Sequence, residues 1–122
     1  MLTRLEIHNY AIIDTLTVSF GTGMNVLTGE TGAGKSIIIG AIDLLLGKRI
    51  SSGVLRKGTK KGYVEGEFNL PKDSGGTVRS DKLLVRREFT ESGGSKSTIN
   101  GDTANLTMLK KTFEELIDMH GQ

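Results

Sequence analysis

The residues best suited to chemistry in this sequence lie between positions 29 and 36, where glycines, a lysine and a serine follow the spacing G-x-x-x-x-G-K-[ST]. Glycines let the backbone fold tightly enough for its N–H groups to converge on an anion. Lys35 adds a positive charge suited to the β- and γ-phosphates of a nucleotide, and the Ser36 hydroxyl is a hard oxygen ligand for Mg²⁺. The segment predicts a phosphate-binding P-loop, made of Gly29, Glu30, Thr31, Gly32, Ala33, Gly34, Lys35 and Ser36.

A P-loop has a strand before it and a helix after it. Residues 24–28 are suited to the strand, and residues 37–46 are suited to the helix. The helix carries apolar residues on nearly every face, so we expect it to be buried against a sheet and a second partner. Gly47 is expected to end it.

Composition sets limits on the class of protein. The 122 residues allow one domain with a modest core, and 17 glycines predict long glycine-rich loops. A net charge of +2 is too small to indicate a nucleic-acid partner by itself, and the basic pairs along the chain are interpreted mostly as solvated surface charge. The absence of cysteine excludes disulfides and thiolate metal sites. The sequence shows no secretory signal and no apolar run long enough to cross a membrane, so we expect a cytoplasmic protein without a membrane partner.

Alternating apolar and polar residues predict a sheet that is mainly antiparallel. The chain has too many strands and too few helices for a doubly wound parallel sheet. We therefore expect an α/β fold in which a P-loop core carries an attached antiparallel sheet. The strands are predicted at residues 4–8, 14–20, 63–70, 82–90 and 95–100, with a loop over 48–62 and a second helix over 103–117.

A Walker B segment, an apolar strand ending in a carboxylate, is not evident in this sequence. Residues 116–118 come nearest to it, but Glu114 and Glu115 directly precede them. The nucleotide site is therefore expected to be incomplete, and the chain to be a fragment that ends after Gln122.

Several segments together resemble the N-terminal ATPase segment of the RecN family, the SMC-like bacterial repair proteins. The resemblance starts with Met1-Leu2, runs through Ile7-His8-Asn9-Tyr10-Ala11-Ile12-Ile13-Asp14 and continues through Thr28-Gly29-Glu30-Thr31-Gly32-Ala33-Gly34-Lys35-Ser36. It ends with Ile117-Asp118-Met119-His120-Gly121-Gln122, so it covers essentially the whole chain.

This resemblance implies a split ATPase head of the ABC/SMC type, of which residues 1–122 would be the N-terminal lobe only. A coiled coil and a C-terminal lobe, with the signature motif and Walker B, would lie outside it. ATP and Mg²⁺ are the implied cofactors. The implied partners are DNA, the protein's own C-terminal lobe and a second head in an ATP-sandwich dimer. The implied role is double-strand-break repair and recombination in the bacterial cytoplasm, in association with the nucleoid.

The resemblance also implies roles for single residues. Gln122 falls at the position of the Q-loop glutamine, which contacts Mg²⁺ and the attacking water. Arg56 falls where SMC-like heads place an arginine that reaches the nucleotide phosphates. With Lys35 these are the implied catalytic residues, and Ser36 and Gln122 are the implied metal ligands. Asn9 is implied to lie near the base or ribose.

Two alternatives stay open from the sequence. One is another P-loop NTPase, such as a GTPase or a small-molecule kinase, although the Asn-Lys-x-Asp motif of GTPases is missing. The other is a nucleotide-gated, DNA-associating scaffold that binds ATP without turnover.

Overall fold

Six antiparallel strands form a single sheet, and two helices accompany it. The computed structural model describes residues 2–20, 32–50, 53–69 and 82–119. The sheet order is β2-β1-β3-β4-β5-β6, so neighbouring strands follow each other in sequence except where β3 pairs with β1. The elements are β1 (Leu2–Tyr10), β2 (Ile13–Ser19), α1 (Gly32–Leu45), β3 (Lys61–Asn69), β4 (Lys82–Thr90), β5 (Ser95–Ile99), β6 (Asp102–Ala104) and α2 (Leu106–Met119).

The predicted strand alternation is confirmed by the burial of the side chains. Leu5 and Ile7 on β1 are fully buried, as is Val64 on β3, while the residues between them face the other side of the sheet. Alternation buries one face of a sheet because successive side chains point in opposite directions. The core lies between this face and the two helices, and it includes Leu44, Leu45, Leu83, Val85, Phe89, Leu109 and Phe113.

Element boundaries differ from the sequence prediction in three places. α1 begins at Gly32, inside the glycine-rich motif, and not at residue 37. The expected loop over 48–62 is shorter, because β3 starts at Lys61. The predicted start of the second helix at residue 103 was wrong, since residues 102–104 form β6 and α2 begins at Leu106. The Asn105 side chain caps this helix by accepting a hydrogen bond from the Met108 N–H at 2.8 Å. The strand predicted over 24–28 lies outside the described residues.

α1 packs against the sheet through one side only. Ala41, Leu44 and Leu45 are buried, whereas Ile39 is 44% exposed and Leu46 is 38% exposed. The described residues cover only the sheet side of this helix, so the second partner that its apolar faces predict is not among them. The helix approaches closely because β3 has a glycine beneath it: a Cβ on Gly66 would lie 2.5 Å from Leu45 Cδ1.

The opposite face of the sheet carries a network of ion pairs. Arg4 pairs with Glu6 at 3.0 Å and with Glu65 at 3.1 Å, and Arg86 pairs with Glu65 at 3.0 Å and with Glu88 at 2.8 Å. Such half-exposed pairs contribute little stability each, about 0–1 kcal/mol. Their effect here is to leave the arginines of this face neutralised by neighbouring carboxylates.

Arg87 corrects the interpretation of the basic pairs as surface charge. It follows Arg86 on β4, but its side chain lies on the helix face of the sheet and is only 2% exposed. Its Nη1 donates hydrogen bonds to the carbonyls of Leu44, at 2.9 Å, and Lys48. The guanidinium therefore caps the C-terminal end of α1, which Gly47 ends in a left-handed conformation (φ 106°), as predicted.

Candidate nucleotide-binding site

The helix α1 begins within the predicted P-loop, at Gly32. The first N–H groups of a helix have no acceptor inside the helix and carry partial positive charge, so this end suits a phosphate. Its first turn, residues 32–35, contains no acidic residue that would compete for that position. Ser36 follows in the next turn with its side chain exposed. Gly29, Glu30, Thr31 and Gln122 lie outside the described residues.

The end of β1 turns sharply towards α1. Asn9 and Ala11 both have positive φ, of 52° and 55°, which interrupts the strand alternation as the sequence pattern predicted. Asn tolerates this conformation better than most residues, and here its amide Nδ2 donates to the Lys61 carbonyl at 3.0 Å. The turn places Tyr10 against the helix, with its hydroxyl 2.7 Å from the position that a Cβ on Gly40 would occupy.

The segment that carries Arg56 is attached to the same end of β1. The Arg56 N–H donates to the Asn9 carbonyl at 2.8 Å, and the Ala11 N–H donates to the Val54 carbonyl at 2.7 Å. Leu55, between them, forms an isolated antiparallel bridge with Tyr10. The structure thus brings together Asn9 and Arg56, which are 47 positions apart in the sequence. The resemblance assigned both of them to the nucleotide site.

A turn fixes the direction in which the chain leaves Arg56. The Thr59 N–H and hydroxyl both donate to the Arg56 carbonyl, at 3.1 and 2.6 Å. Arg56 is half-buried and lines an open groove of about 520 Å³ between its own segment and the β4–β5 turn. A half-buried guanidinium next to a groove can bind an oxyanion by two parallel hydrogen bonds.

The anchoring of α1 on Tyr10 is the feature of this site that sequence reasoning missed. Its signals were present: the break in alternation at Asn9 to Ala11, and a glycine inside an otherwise apolar helix. Tyr10 also contacts Phe89 of the core, at 6.3 Å between ring centroids. Burial, and to a smaller extent the charge of Asp43, raises the pKa of the Tyr10 phenol above its ordinary value.

Metal ligands are sparse in the described part of the chain. Within residues 2–20, 32–50, 53–69 and 82–119, no three His, Asp or Glu side chains are grouped so that they could hold a metal ion. The exposed Ser36 hydroxyl next to a helix N-terminus is consistent with a Mg²⁺ ion that is held mainly by nucleotide phosphates and water. Neither described helix is long and apolar enough to cross a membrane.

Comparison with known proteins identifies relatives over the whole chain. The sequence model of a family described as AAA domain matches residues 4–122. The chain is 47% identical to the DNA repair protein RecN of Halalkalibacterium halodurans and 44% identical to that of Bacillus subtilis. Both matches cover 100% of this chain but only 23% of the relative, so the chain spans about a quarter of the relatives' length.

A solved structure has the same fold. It comes from work on the ATP-driven dimerization and DNA-stimulated activation of SMC ATPases, and it superposes with a TM-score of 0.81 at 21% identity. The superposition covers 95% of this chain and 79% of that one. The sheet and the two helices described above therefore have the same fold as that SMC ATPase structure, which is the fold that the resemblance implied.

Proposed function

Because the chain belongs to the AAA domain family and matches RecN proteins along its whole length, we propose that residues 1–122 form an ATP-binding N-terminal head lobe. In the complete protein this lobe is part of an ATPase that acts in DNA double-strand-break repair and recombination. The protein works in the bacterial cytoplasm, in association with the nucleoid.

The observation that supports nucleotide binding best is the start of α1 inside the glycine-lysine-serine motif. The backbone N–H groups of the first turn and the Lys35 charge are adjacent in the chain, and no acidic residue occupies that turn. These groups bind the β- and γ-phosphates of ATP. Ser36 and Gln122 would hold Mg²⁺, which would neutralise charge on the phosphate oxygens.

The remaining catalytic roles rest on the resemblance to RecN proteins. Arg56, attached to β1 through its backbone, stabilises charge on the transferring phosphoryl group. Gln122 orients the water that attacks the γ-phosphate. The carboxylate base comes from another part of the complete protein, and so does the rest of the nucleotide site.

The uncovered side of α1 supports a second lobe as partner. Ile39 on this helix and Leu46 directly after it stand seven residues apart and are both partly exposed, with the half-buried Ile42 between them. Positions that repeat at this spacing share one helix face. The C-terminal lobe packs there, and a second head closes over the nucleotide. DNA is the partner of the complete protein.

A titration of ATP–Mg²⁺ against this chain, followed by calorimetry, tests the proposal. We expect saturable binding that is lost in Lys35→Ala. This mutation removes the positive charge that would contact the β- and γ-phosphates, while it leaves the backbone N–H groups in place. Lys111→Ala removes an exposed charge from α2 and is the matched control. Equal binding by the two variants would show that the P-loop does not hold the nucleotide.

Turnover is tested separately on the full-length protein. Hydrolysis of ATP with and without linear DNA distinguishes an ATPase from a scaffold that only binds nucleotide. DNA-stimulated turnover supports the proposal, whereas tight ATP binding without turnover in either condition supports the scaffold. Specific hydrolysis of GTP would identify a different P-loop NTPase.

A further inference from the structure

Arg87 is a buried cation without a carboxylate partner among the described residues. Its exposed fraction is 2%, and burial lowers the pKa of its guanidinium below the ordinary value. Nη1 reaches two backbone carbonyls, but the buried Nε has no hydrogen-bond partner in the described part of the chain. The five ion pairs recorded for the described residues involve only Arg4 and Arg86, on the opposite face of the sheet. An unpaired buried charge is costly, so this site is suited to receiving an anion.

An open groove of about 510 Å³ lies beside Arg87. It runs between the segment after α1, the strands β5 and β6, and the start of α2. None of the described residues that line it is acidic, whereas two arginines, Arg49 and Arg87, are among them. Arg49 is exposed, so the groove combines one exposed guanidinium with the buried guanidinium of Arg87.

Strand register shows which β5 side chains share this face. Ser97 stands opposite Arg87 and Ser95 stands opposite Phe89, so both serines lie on the helix face. Lys96 stands opposite Glu88, on the other face, where its charge helps to lower the pKa of the Glu88 carboxyl. The hydroxyl groups of the two serines therefore lie on the same face of the sheet as Arg87. The Lys96 side chain lies on the opposite face, with the network of ion pairs.

The N-terminus of α2 closes one end of the groove. Asn105 and Leu106 line it, and Asn105 already satisfies the Met108 N–H with its side chain. The other N–H groups of the first turn carry the positive end of a 14-residue helix. This end adds to the field of the two arginines, and the unpartnered Nε of Arg87 is the independent sign that an anion is missing.

We propose that this groove binds a phosphate group, and that the phosphate belongs to the backbone of a nucleic acid. An open groove admits a polymer that continues beyond it, and guanidinium groups with hydroxyl donors are typical phosphate contacts. The choice of nucleic acid over free phosphate rests on the proposed function. The groove adjoins the C-terminal end of α1, about 20 Å along the helix from the P-loop, so it is separate from the nucleotide site.

Two glutamate substitutions test this proposal without disturbing the core. Ser95→Glu places a carboxylate on the Arg87 face, where it pairs with the arginines and repels phosphate. Ser92→Glu adds the same charge in the exposed β4–β5 turn, outside the groove, and is the control. Binding of each variant to a 20-base-pair duplex is measured by fluorescence anisotropy between 50 and 200 mM salt, together with ATP affinity.

We expect Ser95→Glu to weaken duplex binding by about tenfold or more at 100 mM salt, and Ser92→Glu to weaken it by less than about threefold. The slope of log affinity against log salt should become shallower by about one for Ser95→Glu, because one phosphate contact is lost. Arg49→Gln, which changes an exposed side chain, should reduce the slope by a similar amount. ATP affinity should stay unchanged in all three variants.

Equal duplex affinity for Ser95→Glu and Ser92→Glu would overturn the proposal. A titration with inorganic phosphate distinguishes the two sources of the anion. If Ser95→Glu loses inorganic phosphate binding but keeps duplex binding, the groove is a site for free phosphate and the nucleic-acid assignment is wrong. If the unmodified chain did not bind ATP, that result would count against the proposed function alone, since the nucleotide site lies at the other end of α1.

Discussion

The Tyr10 hydroxyl occupies the space that a side chain on Gly40 would need, at 2.7 Å from the position of its Cβ. Through this contact the end of β1 determines where the middle of α1 lies. The same end of β1 binds the backbone of the Arg56 segment. A single turn, residues 9–11, therefore contacts both the P-loop helix α1 and the segment that carries Arg56, the candidate phosphate-binding arginine.

We predict that Gly40→Ala is less favourable for stability with the Tyr10 hydroxyl than without it. In the unmodified chain the new methyl group collides with that hydroxyl, and such overpacking costs about 1–3 kcal/mol. In a Tyr10→Phe background the collision is relieved, and the higher helix propensity of alanine contributes about 1 kcal/mol. Urea unfolding of the four variants in a double-mutant cycle measures the difference. Additive effects would show that Tyr10 does not limit the approach of α1.

Ala11→Gly is predicted to stabilise the chain. Ala11 has a φ of 55°, a left-handed conformation that costs a residue with a Cβ about 1–2 kcal/mol. Glycine removes this strain, although its greater freedom in the unfolded chain offsets about 0.4–1 kcal/mol. The net gain should be about 0.5 kcal/mol, measured as a higher urea midpoint with an unchanged slope. Gly53→Ala, at a φ of 89° with nothing within 4 Å of the added methyl group, is the reverse control and should destabilise.

Removal of the Glu88 carboxylate is predicted to matter at neutral pH and not in acid. The hydrogen bond from Arg86 holds the pKa of Glu88 below its ordinary value of 4.5. A depressed pKa in the folded state adds stability above the unfolded pKa, and this contribution is lost as the pH falls through the folded pKa. We expect Glu88→Gln to cost less than about 1 kcal/mol at pH 7, because the pair is half exposed. The cost should disappear near pH 2, as judged by urea unfolding at the two pH values, and a loss that is the same at both would contradict the assignment.

Hydrolysis of ATP by this chain alone is predicted to stay at or near the background rate. The P-loop supplies phosphate binding, but the carboxylate base is expected from another part of the complete protein. The measurement is phosphate release under saturating ATP–Mg²⁺, with Lys35→Ala as control. Substantial turnover that Lys35→Ala abolishes would show that these 122 residues already hold a complete catalytic site.

The sheet face could be predicted from the sequence because alternation records burial directly. Alternation alone predicts strands over residues 4–8 and 63–70, and their residues Leu5, Ile7 and Val64 are buried. Glycine-lysine-serine spacing predicts a phosphate-binding segment for a similar reason, since the chemistry depends on residues next to each other in the chain. Local patterns of this kind need no knowledge of the fold.

Contacts between distant segments could not be predicted in this way. Arg87 looked like half of a surface basic pair, and only the pairing of β4 with its neighbours placed it under the end of α1. Asn9 and Arg56 were assigned to one site by resemblance. The hydrogen bond between their backbones joins two segments that are distant in the sequence, and no local pattern predicts that contact. The apolar faces of α1 predict a second covering partner beside the sheet, but apolar composition does not specify which partner supplies that surface.

The order of strands in the sheet also has a consequence for how the chain folds. β3 to β6 pair in sequence order, whereas β1 pairs with β3 across the whole P-loop helix. Closing a longer loop costs more chain entropy, so pairing between distant strands is slower than pairing between neighbours. We therefore expect β3 to β6 to assemble before β1 joins them. The predicted P-loop, which lies between β2 and β3 in the chain, would then acquire its final surroundings only after the strands that follow it have paired.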